Sequence, residues 1–137
     1  MDTLDPQQRS ERMSRIRSKD TRPEMIVRRM VHAMGYRYRL HRRDFPGAPD
    51  LALITRRKAI FVHGCFWHRH ADSNCALARL PKSRQEFWTP KLERNRQRDL
   101  ENQKALKALR WDYLVIWECQ LMNKASVEER LRAFLSQ

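Results

Sequence analysis

Long apolar runs are missing from the sequence, since none approaches the roughly 18 apolar residues of a membrane-spanning helix. The N-terminus also lacks the apolar core of a secretory signal peptide, so a cytoplasmic location is expected. Neither internal repeats nor low-complexity segments are present, which excludes a repeat array. At 137 residues the chain has the length of one domain, and it can bury a real core.

Cysteine is scarce: the chain has three, at Cys65, Cys75 and Cys119. An odd number cannot pair completely, and the cytosol keeps thiols reduced, so a disulfide framework is not expected. Metal ligation accounts better for these thiols. The alternative is that they are buried free cysteines, which pack as small apolar side chains.

Acidic residues are few, with 16 Asp and Glu against 29 Lys and Arg, and the net charge is +13. The excess is spread over most of the chain, which predicts a basic face and a polyanionic partner contacted through its phosphates. The alternative is a soluble protein that is merely basic. Residues 1–20, with Arg12 and Arg15, form a basic arm that is either a disordered terminus or a segment that orders on DNA. Residues 21–137 are expected to form the single folded domain.

The local patterns predict an α/β fold. Thr21 and Glu24 form a capping box that opens a helix ending at Gly35. A strand is expected at 36–40, and a hairpin is expected from strands at 51–54 and 59–63.

In the second half, a capping box opens a short helix at Ser83, and Thr89 caps a longer one that ends near Leu109. A buried strand at 111–117 follows, and the helix before it makes this strand parallel to an earlier one. Ser126 is expected to cap the last helix. The prediction is a short mixed sheet with helices on both faces.

Residues 63–70 carry three histidines, Cys65 and two adjacent aromatic rings, directly after an apolar strand. Four Cys or His ligands in a tetrahedron make a structural zinc site. Cys65, His70, Cys75 and Cys119 can supply them, although spacing alone leaves open which of the three histidines completes the set.

An acid also belongs to this hairpin. Asp50 opens the strand at 51–54, so its side chain can face Val62 and His63 on the partner strand. A carboxylate there can hold hydrated magnesium, and a histidine that is free of zinc can accept a proton from water. The simpler alternative makes Asp50 a turn residue after proline. The aromatic pair Phe66–Trp67 is either core or a wedge between base steps.

These segments together resemble the very short patch repair endonucleases. The resemblance rests on residues 62–70, 45–50, 87–88 and 117–119, and it extends from Arg12 to about residue 135. It implies a PD-(D/E)xK nuclease fold with a structural zinc. It also implies magnesium-dependent nicking of the DNA strand next to the thymine of a T:G mismatch, which arises when 5-methylcytosine deaminates.

The resemblance also assigns roles. Asp50 and the backbone carbonyl of Val62 would hold magnesium, His63 would stand where the nuclease triplet has lysine, and His68 would be the base, with Glu24 as an acid near the site. The zinc ligands would be Cys65, His70, Cys75 and Cys119.

Contacts to DNA would come from three aromatic residues and from basic side chains. Phe66, Trp67 and Trp88 would intercalate beside the mismatch. The basic side chains are Arg12 and Arg15 on the arm and Lys91 and Arg94 on the long helix. The expected partner is duplex DNA with a T:G mismatch, bound by a monomer at the nucleoid, and mismatch-repair proteins are candidate partners. The alternatives are a sequence-specific restriction-type nuclease and a zinc-containing DNA-binding module that does not cut.

Overall fold

The computed structural model describes residues 20–71, 75–78 and 85–137, with only the backbone described at 85–88. The described helices are α1 (Arg22–Ala33), α2 (Gln85–Ala108) and α3 (Lys124–Leu135). The described strands are β1 (Arg39–Leu40), β2 (Leu51–Leu53), β3 (Lys58–His63) and β4 (Asp112–Trp117). In this part of the chain no helix combines the length and the apolar character needed to cross a membrane.

The strands form one mixed sheet in the order β1-β2-β3-β4. β2 pairs antiparallel with β3, and β3 pairs parallel with β4, which confirms the predicted hairpin and crossover. The parallel register sets Val62 beside Ile116 and His63 beside Trp117. The carboxyl ends of β3 and β4 therefore meet at one edge of the sheet, and the segments that follow each strand lie side by side.

Helices cover both faces of this sheet, as the sequence predicts. On one face Ile60 and Ile116 pack with side chains of α1 and α3, including Val31 and Leu131. The other face is covered by Leu106 of α2. The core on this side of the sheet consists of Ala52, Ala59, Phe61, Leu106 and Trp111. Successive strand residues point to opposite faces, so β3 is apolar on both sides and buried.

The start of α1 agrees with the predicted cap. The hydroxyl of Thr21 accepts a hydrogen bond from the amide of Glu24 at 3.3 Å, and Pro23 lies in the first turn. The Glu24 carboxylate, however, accepts from the amide of Asp20 at 3.3 Å and not from that of Thr21. Its other oxygen is turned toward the sheet edge, so this side chain is more than a cap.

The strand predicted at 36–40 is wrong in extent, because only Arg39–Leu40 pairs with β2. Tyr36 and Tyr38 pack against the core, and the Tyr38 hydroxyl donates to the carbonyl of Arg28 at 3.1 Å. The alternating pattern therefore reflects two tyrosine rings that pack on the core and anchor α1, although these residues do not join the sheet.

Two predicted helix starts are also wrong. α2 is continuous through Pro90, which costs it one backbone hydrogen bond within 24 residues, so Thr89 caps no separate helix. α3 begins at Lys124, because the side chain of Asn123 accepts from the amide of Ser126 at 3.2 Å and takes the capping role. The start predicted at Ser83 lies outside the described residues.

Candidate active site

A cavity of about 280 Å³ opens at the carboxyl edge of β3, next to the first turn of α1. The lining residues are Thr21, Arg22, Pro23, Glu24, Asp50, Val62, Gly64, Trp67, His68 and Glu118. Three carboxylates and one histidine thus share a small space at one edge of the sheet. Asp50, Glu24, Val62 and His68, all expected near a catalytic centre, are brought together here.

Asp50 lies where the hairpin prediction puts it. Its Oδ2 accepts a hydrogen bond from the amide of Val62 at 2.7 Å. Burial, with the neighbouring Glu24 carboxyl as a smaller cause, raises the pKa of Asp50 to about 7 against the lowering effect of the Val62 hydrogen bond. This acid is therefore only partly deprotonated at neutral pH.

Glu24 is 2% exposed, and its charge is compensated locally. Its Oε2 lies 2.6 Å from Nη2 of Arg28 and 2.9 Å from Nε2 of His41. A buried carboxylate is stable only when it is paired in this way. These contacts hold the Glu24 carboxylate against the cavity wall.

The two site histidines differ in environment. His63 is 4% exposed and stacks face to face on His68, with ring centroids 3.9 Å apart and planes 5° apart. Burial, with the adjacent His68 as a smaller cause, lowers the pKa of His63 well below its usual value. His63 is therefore a neutral ring at neutral pH, and its stacking fixes the plane of His68.

His68 is oriented by an acid from α2. Its Nδ1 lies 2.5 Å from Oδ2 of Asp99. This contact selects the tautomer that donates from Nδ1 and leaves Nε2 free to accept a proton. Donor atoms of His63, His68 and Asp99 all lie within 4.8 Å of one another, which a metal could exploit. The parallel rings argue against it, because in-plane lone pairs of two stacked imidazoles do not converge on one ion.

A second cluster lies beside this cavity, between the segments that follow β3 and β4. One donor atom from each of Cys65, His70, Cys75 and Cys119 lies within 4.8 Å of the other three. Sγ of Cys119 is 3.4 Å from Nδ1 of His70, close to the ~3.6 Å edge of a tetrahedron with zinc–sulfur and zinc–nitrogen bonds.

The surroundings of the cluster also suit a metal. The His70 ring stacks on Trp117 at 4.2 Å, which orients Nδ1 toward the thiols. The amide of Cys119 donates to Sγ of Cys65 at 3.4 Å, as backbone groups do toward metal-bound thiolates. Burial raises the pKa of Cys65, so without a cation its thiol stays protonated. The cluster therefore has the donor set and the spacing of a metal site.

The aromatic pair bridges the two clusters. Trp67 lines the cavity, and its carbonyl accepts from Nδ2 of Asn95 at 3.2 Å. Phe66 meets it edge to face at 5.1 Å, and Nζ of Lys91 lies 5.9 Å from the Trp67 ring centroid. Both rings are partly exposed, and so is Lys91, whereas Arg94 is exposed on the same helix. Arg12, Arg15 and the side chain of Trp88 lie outside the described residues.

Comparison with known proteins identifies the family. A profile of the family described as DNA mismatch endonuclease Vsr matches residues 1–75. The type II nicking enzyme V.XorIIP of Xanthomonas oryzae pv. oryzae is 48% identical over 134 residues, which cover 98% of this chain and 96% of the relative. The chain belongs to the DNA mismatch endonuclease Vsr family. Membership makes it a DNA endonuclease, a hydrolase with a DNA substrate.

Two further Vsr-type relatives extend this likeness. The type II nicking enzyme V.NmeAIP of Neisseria meningitidis is 38% identical over 130 residues, covering 95% of this chain and 91% of the relative. The DNA mismatch endonuclease Vsr of Escherichia coli K12 is 34% identical over 128 residues, which cover 93% of this chain and 80% of the relative. The alignments span nearly the whole chain, so they extend beyond the residues that the family profile covers.

Three residues in or beside this cavity carried no signal of their own in the sequence. Asp99 stands 31 residues from His68 in the sequence. Glu118 lies between the strand expected at 111–117 and the expected zinc ligand Cys119, and His41 directly follows the strand expected at 36–40. Only the crossover of α2 brings Asp99 to the histidine. The one hint was that α2 has sparse apolar positions, which left much of its surface for a ligand or for polar contacts.

Proposed function

We propose that the protein is a magnesium-dependent endonuclease that nicks one strand of duplex DNA next to the thymine of a T:G mismatch. The observation that carries this proposal is the pairing, in one cavity, of the Asp50 carboxylate with a histidine oriented by Asp99. A cation ligand and a general base are the two groups that hydrolysis of a phosphodiester needs. The mismatch specificity is supported by the family and by the name of the E. coli relative.

The cavity suits magnesium, because its ligand atoms are oxygens. Asp50 and the Val62 carbonyl would hold the ion, while Glu24 and Glu118 line the same space and can bind its water shell. When bound, magnesium would offset the charge that develops on the phosphate and lower the pKa of a coordinated water. The cavity volume of about 280 Å³ leaves room for a hydrated ion beside these oxygen atoms.

His68 is the proposed base. Its Nε2 would take a proton from the attacking water while Asp99 stabilises the imidazolium. The water oxygen then bonds to phosphorus, the bond from phosphorus to the leaving sugar oxygen breaks, and that oxygen takes up a proton from solvent water. His63, neutral and stacked on His68, would keep the base in plane. Asp50 at the start of β2 and residues 61–63 on β3 would correspond to the PD-(D/E)xK motif, with His63 in the place of its lysine.

Zinc is the proposed occupant of the cysteine cluster. Three thiols and one imidazole would supply all four ligands of a tetrahedral zinc and leave no open position, which is the pattern of a structural site. The ion would join the ends of β3 and β4 and fix the base of Phe66 and Trp67. A structural role agrees with the placement of the cluster beside the cavity and not in it.

DNA would be bound through aromatic and basic groups. The backbone carbonyl of Trp67 accepts a hydrogen bond from Asn95, which holds this residue in place. The Trp67 ring would enter a base step beside the mismatch, with the Phe66 ring packed against it. Unpairing is cheaper at a mismatch, which would supply part of the selectivity. Trp88 would insert as well, and Arg12, Arg15, Lys91 and Arg94 would contact phosphates. The protein would act as a monomer.

The test is a nicking assay with matched and T:G-mismatched duplexes, with and without magnesium. The proposal expects single-strand nicks that need both the mismatch and the metal. Asp50→Ala should abolish nicking and keep DNA binding, whereas Asp44→Ala, an exposed acid paired with Arg42, should behave as wild type. Double-strand cuts in matched DNA would favour a restriction-type nuclease, and binding without cutting would favour a non-catalytic zinc module.

A further inference from the structure

One residue connects the segments that carry the two cavity acids Glu24 and Asp50, although nothing in the sequence marks it. His41, at the end of β1, places its Nε2 2.9 Å from Oε2 of Glu24. Its own amide donates to the carbonyl of Asp50 at 3.3 Å. The ring therefore contacts the Glu24 carboxylate, while the backbone amide of the same residue is hydrogen-bonded to the backbone carbonyl of Asp50.

The other charged partner of Glu24 cannot do this. Arg28 lies 2.6 Å from Glu24, but it is on the same helix, four residues further on. It neutralises the carboxylate and moves with it. Tyr38 does tie α1 to the chain before β1, but it contacts the backbone of Arg28 and not the acid. Of these two charged partners of Glu24, His41 is the one that belongs to the segment leading to Asp50 and β2.

The backbone of His41 supports a specific role. Its φ is +47°, in the left-handed region that non-glycine residues seldom adopt. Such conformations persist where the surrounding structure holds them, and they concentrate at functional sites. Here the turn directs the ring back over the sheet edge, toward α1.

We propose that His41 is a positioning residue that holds Glu24 at a set distance from Asp50 and so shapes the site for a divalent cation. The proposal rests on the proposed function of the cavity. Residues that orient the ligands or neighbours of a metal typically contribute 10- to 100-fold to metal affinity or activity. The loss of the His41 ring should therefore weaken metal binding and nicking by about that factor without unfolding the protein.

The experiment separates the ring from the backbone. His41→Gly removes the ring and accepts the positive φ without strain, while His41→Gln keeps a side chain able to donate to Glu24. His32→Ala, an exposed histidine at the end of α1, is the matched control. Each full-length protein is titrated with Mn²⁺ alone and followed by electron paramagnetic resonance. Nicking of a T:G duplex is then measured over a range of magnesium concentrations.

We expect His41→Gly to bind Mn²⁺ about 10- to 100-fold more weakly and to need correspondingly more magnesium for half-maximal nicking. Metal-free DNA binding and the melting temperature should change little, His41→Gln should recover most of the loss, and His32→Ala should match wild type. Wild-type Mn²⁺ binding in His41→Gly would overturn the positioning role alone. Losses in both variants that track a lower melting temperature would also overturn it. A wild-type protein that neither binds Mn²⁺ nor nicks would overturn the proposed function as well.

Discussion

The contact between His68 and Asp99 yields the sharpest quantitative prediction. Asp99→Asn keeps the size of the side chain but removes the charge that faces Nδ1 of His68 at 2.5 Å. Hydrogen bonds to charged groups contribute about 1.5–3 kcal/mol, and each ~1.4 kcal/mol is a factor of ten in rate. Nicking by Asp99→Asn should therefore be slower by roughly 10- to 100-fold. The lower end is favoured, because the two side chains are 21% and 29% exposed and solvent weakens their interaction.

The assay is single-turnover nicking of a T:G duplex, which separates the chemical step from product release. His68→Ala should cost roughly 10²- to 10⁴-fold, as expected for removal of a general base. If Asp99 acts through His68, the double variant should be no slower than His68→Ala alone. Glu101→Gln, an exposed acid on the same helix, is the control and should nick at the wild-type rate. Losses that multiply in the double variant would refute the reasoning.

Three further predictions follow from the metal cluster, the buried acid and the aromatic pair. Cys119→Ala should unfold or strongly destabilise the protein, because structural zinc contributes on the order of 10 kcal/mol in small zinc peptides; folded wild-type protein without bound zinc in metal analysis would contradict this. Since the pKa of Asp50 is raised to about 7, a cation must displace a proton from this carboxyl below that pH. The affinity for Mn²⁺ should therefore fall by up to about tenfold per pH unit below pH 7, and it should be constant above pH 7. A titration series over pH that gives a flat affinity would remove Asp50 as the ligand. Trp67→Ala should lose mismatch discrimination but keep its fold, measured as a lost rise in fluorescence from 2-aminopurine placed beside the mismatch; an unfolded variant would make Trp67 a core residue.

Where short-range chemistry decides the structure, the sequence predicted it well. The hairpin of β2 and β3 followed from two apolar runs around a short basic turn, and the parallel partner β4 followed from the helix before it. The parallel pairing then brings Cys119 to Cys65, which spacing alone could not show. It also places His70 in the cluster and His63 and His68 outside it, a choice that the sequence left open.

The wrong helix starts arise where local signals of similar strength compete. Asn123 caps α3 in place of Ser126, and both residue types are good caps. Pro90 continues a helix because a long helix tolerates one lost hydrogen bond. Asp99 and His41 acquire their roles through packing between elements distant in sequence, and an exposed polar residue on a helix or in a loop gives no sign of such a partner.

The most direct test of the central claim is to map the nick on a duplex with both strands end-labelled and a single T:G mismatch. The account predicts one magnesium-dependent cut, in the strand that carries the mismatched thymine and adjacent to that base, with no cut in the guanine strand. Cuts in both strands, a cut site unrelated to the mismatch, or equal cutting of the matched duplex would contradict it.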